Sequence, residues 1–413
     1  LTTKVLTAAA RSELFVHILR RQDAPPDAAE LLRRAKDMAP VLAARAPLGD
    51  QACRLPEETI ADAREAGFFR IVQPKRWGGY EMDVATLFDV QMALSEGDMS
   101  AGWVCGLLAM HPWQLAVLDD RAAQDVWGDD PDVLICSSLM PAGDAVPVEG
   151  GFRLSGSWKY SSGCHFAGWA YLGALVAGDP AASFARRTLF LVPRTEFEIV
   201  ETWDVPGLRG TGSHDIVVKN AFVPAYRTQP FMDSFRGIGP GQAVNRAPLY
   251  RLPFGQIFCR GVSTPSLGGL QAMLTAFLTY GASRMAHGQK IAEDPTAQLA
   301  CAETATALDE MRLVLNRNFR VLSGYAERGE VPPTALRLQY KFQSSLAAER
   351  CSVLSNRLLK CVGAAGLSKD LPFARIVADI AAARQHITNQ CELVGRNAGA
   401  AMLGREDMKD LLI

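Results

Sequence analysis

The run Gly151-Phe152-Arg153-Leu154-Ser155-Gly156-Ser157-Trp158-Lys159-Tyr160-Ser161-Ser162-Gly163-Cys164 alternates apolar and polar residues, then closes on two hydroxyls and a glycine. Alternation with a period of two puts one face of a strand inward and the other outward. Thr188-Leu189-Phe190-Leu191-Val192-Pro193 and Asp215-Ile216-Val217-Val218 read the same way, separated by Gly, Pro and Asp turns. A small all-β module is therefore expected over residues 131–235.

On both sides of it the texture is helical. Before it, Glu57 to Ala66 carries acids early and stops at Gly67, and Asp83 to Leu94 and Ser100 to Leu118 repeat apolar residues at helical spacing. After Thr264, long Ala/Leu/Arg-rich segments return with few breakers. The expected division is a helical domain at 25–130, the β module at 131–235 and a helical bundle at 236–413, an α+β arrangement.

The 413 residues are 48% hydrophobic, with a formal net charge of -1. That is material for a large core in two or three packed subdomains. Scattered, balanced charge argues against a nucleic-acid partner or a polybasic membrane surface. No apolar run is long enough to span a bilayer, Leu1-Thr2-Thr3-Lys4 lacks a signal-peptide layout, and the nine cysteines form no Cys-x-x-Cys pair. Reduced thiols in a cytoplasmic protein, with no metal centre, are the expectation.

Gly237-Ile238-Gly239-Pro240-Gly241 lacks the spacing and flanking strand of a dinucleotide loop, and there is no P-loop, nucleophile elbow or His-Glu-x-x-His. Any reduction by a nicotinamide must happen elsewhere. His111, between Met110 and Pro112, and His386, in Gln385-His386-Ile387-Thr388, are the histidines in informative company; His17, His214 and His287 read as structural. Ser137-Ser138 and Tyr160-Ser161-Ser162 offer hydroxyls at strand ends, which can grip the polar edge of a flat ring or serve an ordinary turn. Arg284 reads by default as a solvated helix residue.

Several motifs fall in one order: Trp77-Gly78-Gly79 after Gln73-Pro74, Ser100 to Trp103, Tyr160 to Cys164, Gly207-Leu208-Arg209-Gly210-Thr211-Gly212-Ser213, Phe222-Val223-Pro224, and Ala247-Pro248-Leu249-Tyr250 before Pro253-Phe254-Gly255. In this the chain resembles the acyl-CoA dehydrogenase superfamily, in its group D flavin monooxygenase branch. Oxygenase components of 4-hydroxyphenylacetate hydroxylase and of the seco-steroid phenol hydroxylase carry the same motifs, and the likeness runs from about Pro25 to the C-terminus. It implies an N-terminal helical domain, a central β-barrel and a C-terminal four-helix bundle, assembled as a homotetramer.

The resemblance also implies a chemistry. A separate NAD(P)H:flavin reductase delivers reduced FMN or FAD, O2 adds to give a C4a-hydroperoxyflavin, and the distal oxygen passes to a small aromatic substrate. By matching position, Trp103, Ser137, Ser138, Tyr160, Ser161 and Ser162 would line the flavin ring. Arg284 would meet its phosphate across a subunit boundary, and Ala364 and Ala365 would let the backbone approach. Ser162 would sit near flavin N5, and His111 or His386 would take the phenolic proton.

Two departures qualify this. Dehydrogenases of the fold place a glutamate where this chain has His386-Ile387-Thr388, although some carry it on an earlier helix. His165-Phe166 stands where the phenol hydroxylases have Asp-His, so a different substrate is an open expectation. The alternatives are an N-oxygenase of an amino sugar, an acyl-CoA dehydrogenase, and a catalytically inert scaffold. The apolar Phe254, Phe258 and Leu267 region favours an aromatic ligand over a sugar.

Overall fold

In this structure, a computed structural model, the described residues are 25–180, 183, 186–286 and 288–405; the readings at Leu1 to Lys4, His17 and His287 lie outside them. The N-terminal part holds helices α1 (Ala28–Ala52), α2 (Glu57–Glu65), α3 (Val84–Gly97), α4 (Met99–Val117) and α5 (Asp120–Trp127). Aspartates start four of them: Asp27, Asp83, Asp98 and Asp119 each accept a backbone N–H of the first turn. That satisfies a donor the helix itself cannot. α4 is apolar on nearly every side, and all of it except Leu107 is buried, as such a helix requires.

Seven strands follow: β1 (Ile135–Val148), β2 (Gly151–Ser161), β3 (Trp169–Val176), β4 (Thr188–Pro193), β5 (Glu198–Val200), β6 (His214–Pro224) and β7 (Thr228–Pro230). They form one sheet in the order β5-β6-β2-β1-β3-β4-β7, with β1 and β3 parallel and every other pair antiparallel. The expected barrel is not there: the sheet is open. Its edges, β5 and β7, are three residues each and pair only inward. Closure would need them to pair with each other. Trp158, fully buried under the sheet, donates from Nε1 to the Gly173 carbonyl at 2.6 Å, fixing β2 against β3.

The chain then runs through α6 (Phe231–Arg236), α7 (Phe254–Gly281), the short hairpin β8 (Met285–Ala286) and β9 (Gln289–Lys290), and helices α8 (Pro295–Arg328), α9 (Thr334–Val362), α10 (Phe373–Arg384) and α11 (Cys391–Met402). α7 packs on α8, α9 and α10, and α9 packs on α8 and α10, which makes α7 to α10 a four-helix bundle; α3 and α4 lie against α7. Phe231, Phe235 and Phe254 are fully buried where α6 and α7 meet, each stabilising the fold by about 1.5–3 kcal/mol relative to exposure. No helix of the described residues is long and apolar enough to cross a membrane.

Candidate active site

A cavity of about 620 Å³ opens where the ends of β1 and β2 meet α4, α6, α7, α10 and α11. α4 supplies Trp103, Leu107 and His111, three residues on one stripe at successive turns. Phe231, Phe235 and Phe258 line another side, and Ser137, Ser138, Tyr160 and Ser162 line the strand ends. Tyr160 takes the left-handed conformation (φ 67°), and Gly163 (φ 70°) completes the turn against Val104, where a Cβ would come within 2.8 Å of a methyl carbon.

The hydroxyls of the cavity form a directed chain. Trp103 Nε1–H donates to Ser162 Oγ at 3.0 Å; Ser162 meets Ser213 at 2.7 Å, Ser213 meets Thr211 at 2.7 Å, and Thr211 donates to the Leu208 carbonyl at 2.8 Å. An indole N–H can only donate and a carbonyl can only accept. With Thr211 spent on Leu208, Ser213 must donate to Thr211 and Ser162 to Ser213. Ser162 therefore turns a lone pair, not a proton, to any further partner.

The two histidines hold opposite tautomers. Gln114 Nε2 donates to Ser234 at 3.2 Å, which turns Gln114 Oε1 to His111 Nδ1 at 2.7 Å; Nδ1 must carry the proton and Nε2 is an acceptor. At His386 the Thr388 amide donates to Nδ1 at 3.2 Å, so the proton sits on Nε2, a donor. Burial lowers both rings to about 4, and they are neutral at pH 7. His386 is braced edge-on by Trp103 at 5.9 Å between ring centroids and packs on Phe258 at 5.8 Å.

Among the described residues no Asp or Glu lines the cavity, whereas Lys159, Arg187 and Lys341 do. Arg187 and Lys341 are each 3% exposed. Arg187 donates from Nε to the Leu139 carbonyl at 2.6 Å with its guanidinium 3.2 Å from the Phe231 ring centre, and burial lowers it to about 10, still charged at neutral pH. An aromatic-walled space with backbone and hydroxyl partners at one edge and cationic walls suits a flavin ring and an anionic ligand. No described carboxylate lines the cavity to serve as an α-proton base.

Of the residues expected here, Trp103, His111, Ser137, Ser138, Tyr160, Ser162 and His386 converge on the cavity. Ser161 does not: fully buried, it donates to the Ser137 carbonyl at 3.2 Å and ties β2 to β1. Arg284, Ala364 and Ala365 are exposed and outside this lining, Arg284 lying over Tyr280. Phe258 lines the cavity, whereas Phe254 and Leu267 support it from the core. His165 and Phe166, where the chain departs from the phenol hydroxylases, do not line the cavity: His165 faces Glu201 and His214, and Phe166 packs on the core. Ser213, Thr211, Trp203, Arg187 and Lys341 were not singled out in the sequence; the Gly207 to Ser213 segment was the one available signal.

Comparison with known proteins agrees with this geometry. Residues 260–391 match the family described as acyl-CoA dehydrogenase, C-terminal domain. The chain is 35% identical, over 89% of its length and 93% of the relative's, to a flavin-dependent monooxygenase, oxygenase subunit HsaA, of Mycobacterium tuberculosis. It is 31% identical, over 91% of its length and 94% of the relative's, to the oxygenase component of an FADH2-dependent resorcinol hydroxylase of Rhizobium. The crystal structure of 3-HSA hydroxylase from Rhodococcus superposes with a TM-score of 0.88 at 32% identity, covering 93% of this chain and 99% of that one. With this likeness along nearly the whole chain, and a cavity walled by aromatic rings with no carboxylate among its described lining residues, the protein belongs to the flavin-dependent monooxygenases of the acyl-CoA dehydrogenase fold, as an oxygenase component.

Proposed function

We propose that the protein hydroxylates a phenol or another small aromatic compound, using reduced FMN or FAD received from a separate NAD(P)H:flavin reductase, and that it works as a homotetramer. The observation that carries this reading is the pairing of opposite tautomers, an acceptor at His111 and a donor at His386, in a cavity walled by aromatic rings. The resorcinol hydroxylase relative is named for a phenol.

Reduced flavin, when bound, supplies the electrons that activate dioxygen for insertion into the ring. His111 Nε2 accepts the phenolic proton, which makes the ring carbon a stronger nucleophile. His386 Nε2–H donates to oxygen as charge develops on it. Ser162, turned by its chain into an acceptor, would take a hydrogen bond from a ring N–H of the bound flavin, and the chain ends on a carbonyl that cannot carry a proton away. Arg187 and Lys341 favour an ionised phenol electrostatically. Arg284, Ala364 and Ala365, exposed on one chain, would meet the flavin held by a second copy.

The test is single-turnover mixing of the protein with reduced FMN or reduced FAD, isotopically labelled dioxygen and a panel of phenols and indoles. Product carrying one labelled oxygen atom is expected from at least one phenol. The reading fails if every member of the panel, with either flavin, yields hydrogen peroxide alone.

A further inference from the structure

His214 lies behind the cavity wall, 4% exposed, at the start of β6. Its Nδ1 accepts two consecutive backbone N–H groups, those of Thr202 at 3.1 Å and Trp203 at 3.2 Å. The Trp203 side chain lines the cavity, is pinned by its Nε1–H to the Leu208 carbonyl at 2.9 Å, and stands edge-on to Tyr160 at 5.6 Å between centroids. The β5–β6 connection carries Trp203, Leu208, Thr211 and Ser213, all in the cavity wall. One imidazole lone pair thus anchors the segment that closes this side.

We propose that His214 is a positioning residue: its unprotonated Nδ1 clamps the Thr202–Trp203 backbone behind the cavity wall, and its protonation in acid unclamps that backbone. An Nδ1 that gains a proton becomes a donor facing two donors, so both bonds are lost at once. The inference concerns the wall alone and holds whichever flavin or substrate the cavity takes.

The surroundings set the direction of the switch. Burial, first, holds His214 below its ordinary range, and Arg54 adds to this; Glu201, Asp215 and a hydrogen bond with the Cys53 backbone favour the charged form. His165 stands edge-on at 5.2 Å, with its Nε2 3.5 Å from Glu201 and its own protonation disfavoured by burial and by His214. The Cys164 thiol, pushed up to about 11 by burial, stays neutral. The clamp is accordingly closed at neutral pH and opens as pH falls. The commitment of Nδ1 to amides also leaves it unavailable to a metal ion beside His165 and Glu201.

Hydrogen exchange of the flavin-free protein tests this, read on peptides covering residues 201–208 and corrected for intrinsic rates. Protection in the wild type should fall on the order of tenfold between pH 7.5 and pH 5, the loss expected from two backbone bonds. His214→Asn places a non-titrating carbonyl oxygen near Nδ1 and should keep protection at both pH values. His214→Phe should lack it at both. Wild-type protection that does not change with pH, or His214→Asn behaving as His214→Phe, overturns the proposal.

Discussion

Trp103 Nε1 and Ser162 Oγ, 59 residues apart in sequence, meet at 3.0 Å and join helix α4 to the end of β2 at the cavity edge. The Leu208 carbonyl sets the direction of the hydroxyl chain, and the indole fills one lone pair of Ser162 at its head. Trp103→Phe keeps the ring and removes the donor, so that Ser162 is held in place only through Ser213. A hydrogen bond of this kind is worth about 1 kcal/mol. The ratio of hydrogen peroxide to hydroxylated product should rise several-fold, and Ser162→Ala should raise it further. Ser213→Ala, which takes away the acceptor for Ser162, should resemble Trp103→Phe.

The acceptor role of His111 and the donor role of His386 separate by substrate. His111→Ala should lower hydroxylation of a neutral phenol by about 10²–10⁴-fold, the usual span for a removed general base. Phenols already ionised at the assay pH should recover much of that loss. His386→Ala should be slow with both kinds of phenol. Equal rescue of the two variants by an ionised phenol would reverse the assignment.

Both rings also make acid stability pH-dependent. Each is lowered by burial to about 4 in the fold, while the unfolded chain protonates near its ordinary value of 6.5. The unfolded state then binds more protons between these values, so stability falls as pH drops from about 6.5 toward 4 and is flat above. Denaturant midpoints measured across that window should show the slope. The double substitution His111→Gln, His386→Gln should flatten it.

Asp379 accepts the Leu208 N–H at 2.7 Å and is 3% exposed. Burial, with Asp98 nearby, raises it to about 8, so at neutral pH it is largely protonated. A carboxyl raised in the fold loses stability as pH climbs from its unfolded value of 3.8 through about 8. Asp379→Asn keeps the acceptor without the charge and should weaken that alkaline decline. Asp379→Leu leaves the Leu208 amide unpaired and should cost about 1–3 kcal/mol at pH 7. Thermal melts at pH 6 and pH 9 distinguish the two.

Gly207 sits against α10, where a Cβ would lie 2.1 Å from the Ala378 carbonyl oxygen. Backbone on both sides leaves no flexible atom to give way. Gly207→Ala should destabilise by about 1–3 kcal/mol and move the Leu208 end of the hydroxyl chain. A lowered melting temperature with increased peroxide release is expected. An unchanged melting temperature would show that α10 yields.

Much of the architecture was local and therefore legible. The alternation of Gly151 to Tyr160 became β2, the run Thr188 to Pro193 is β4, and the apolar repeats of Asp83 to Leu94 and Ser100 to Leu118 lie in helices α3 and α4. Each is decided by neighbours a few residues away. Barrel closure was misjudged because it depends on two edge strands finding each other, which no single strand encodes. That His165 and Phe166 lie off the cavity which Ser162 enters was not legible, because it depends on contacts with Glu201, His214 and the core.

By itself the sequence determined the elements, the ordered motifs of a flavin oxygenase fold, and which residue types were present for its chemistry. The tertiary structure decided which proton each group holds. Trp103 and Ser162 lie 59 residues apart, Ser162 and Ser213 lie 51, and His111 takes its tautomer through Gln114 from Ser234, 120 residues from that glutamine. A hydrogen bond has a direction only once both partners are in place, and for these partners only the fold puts them there.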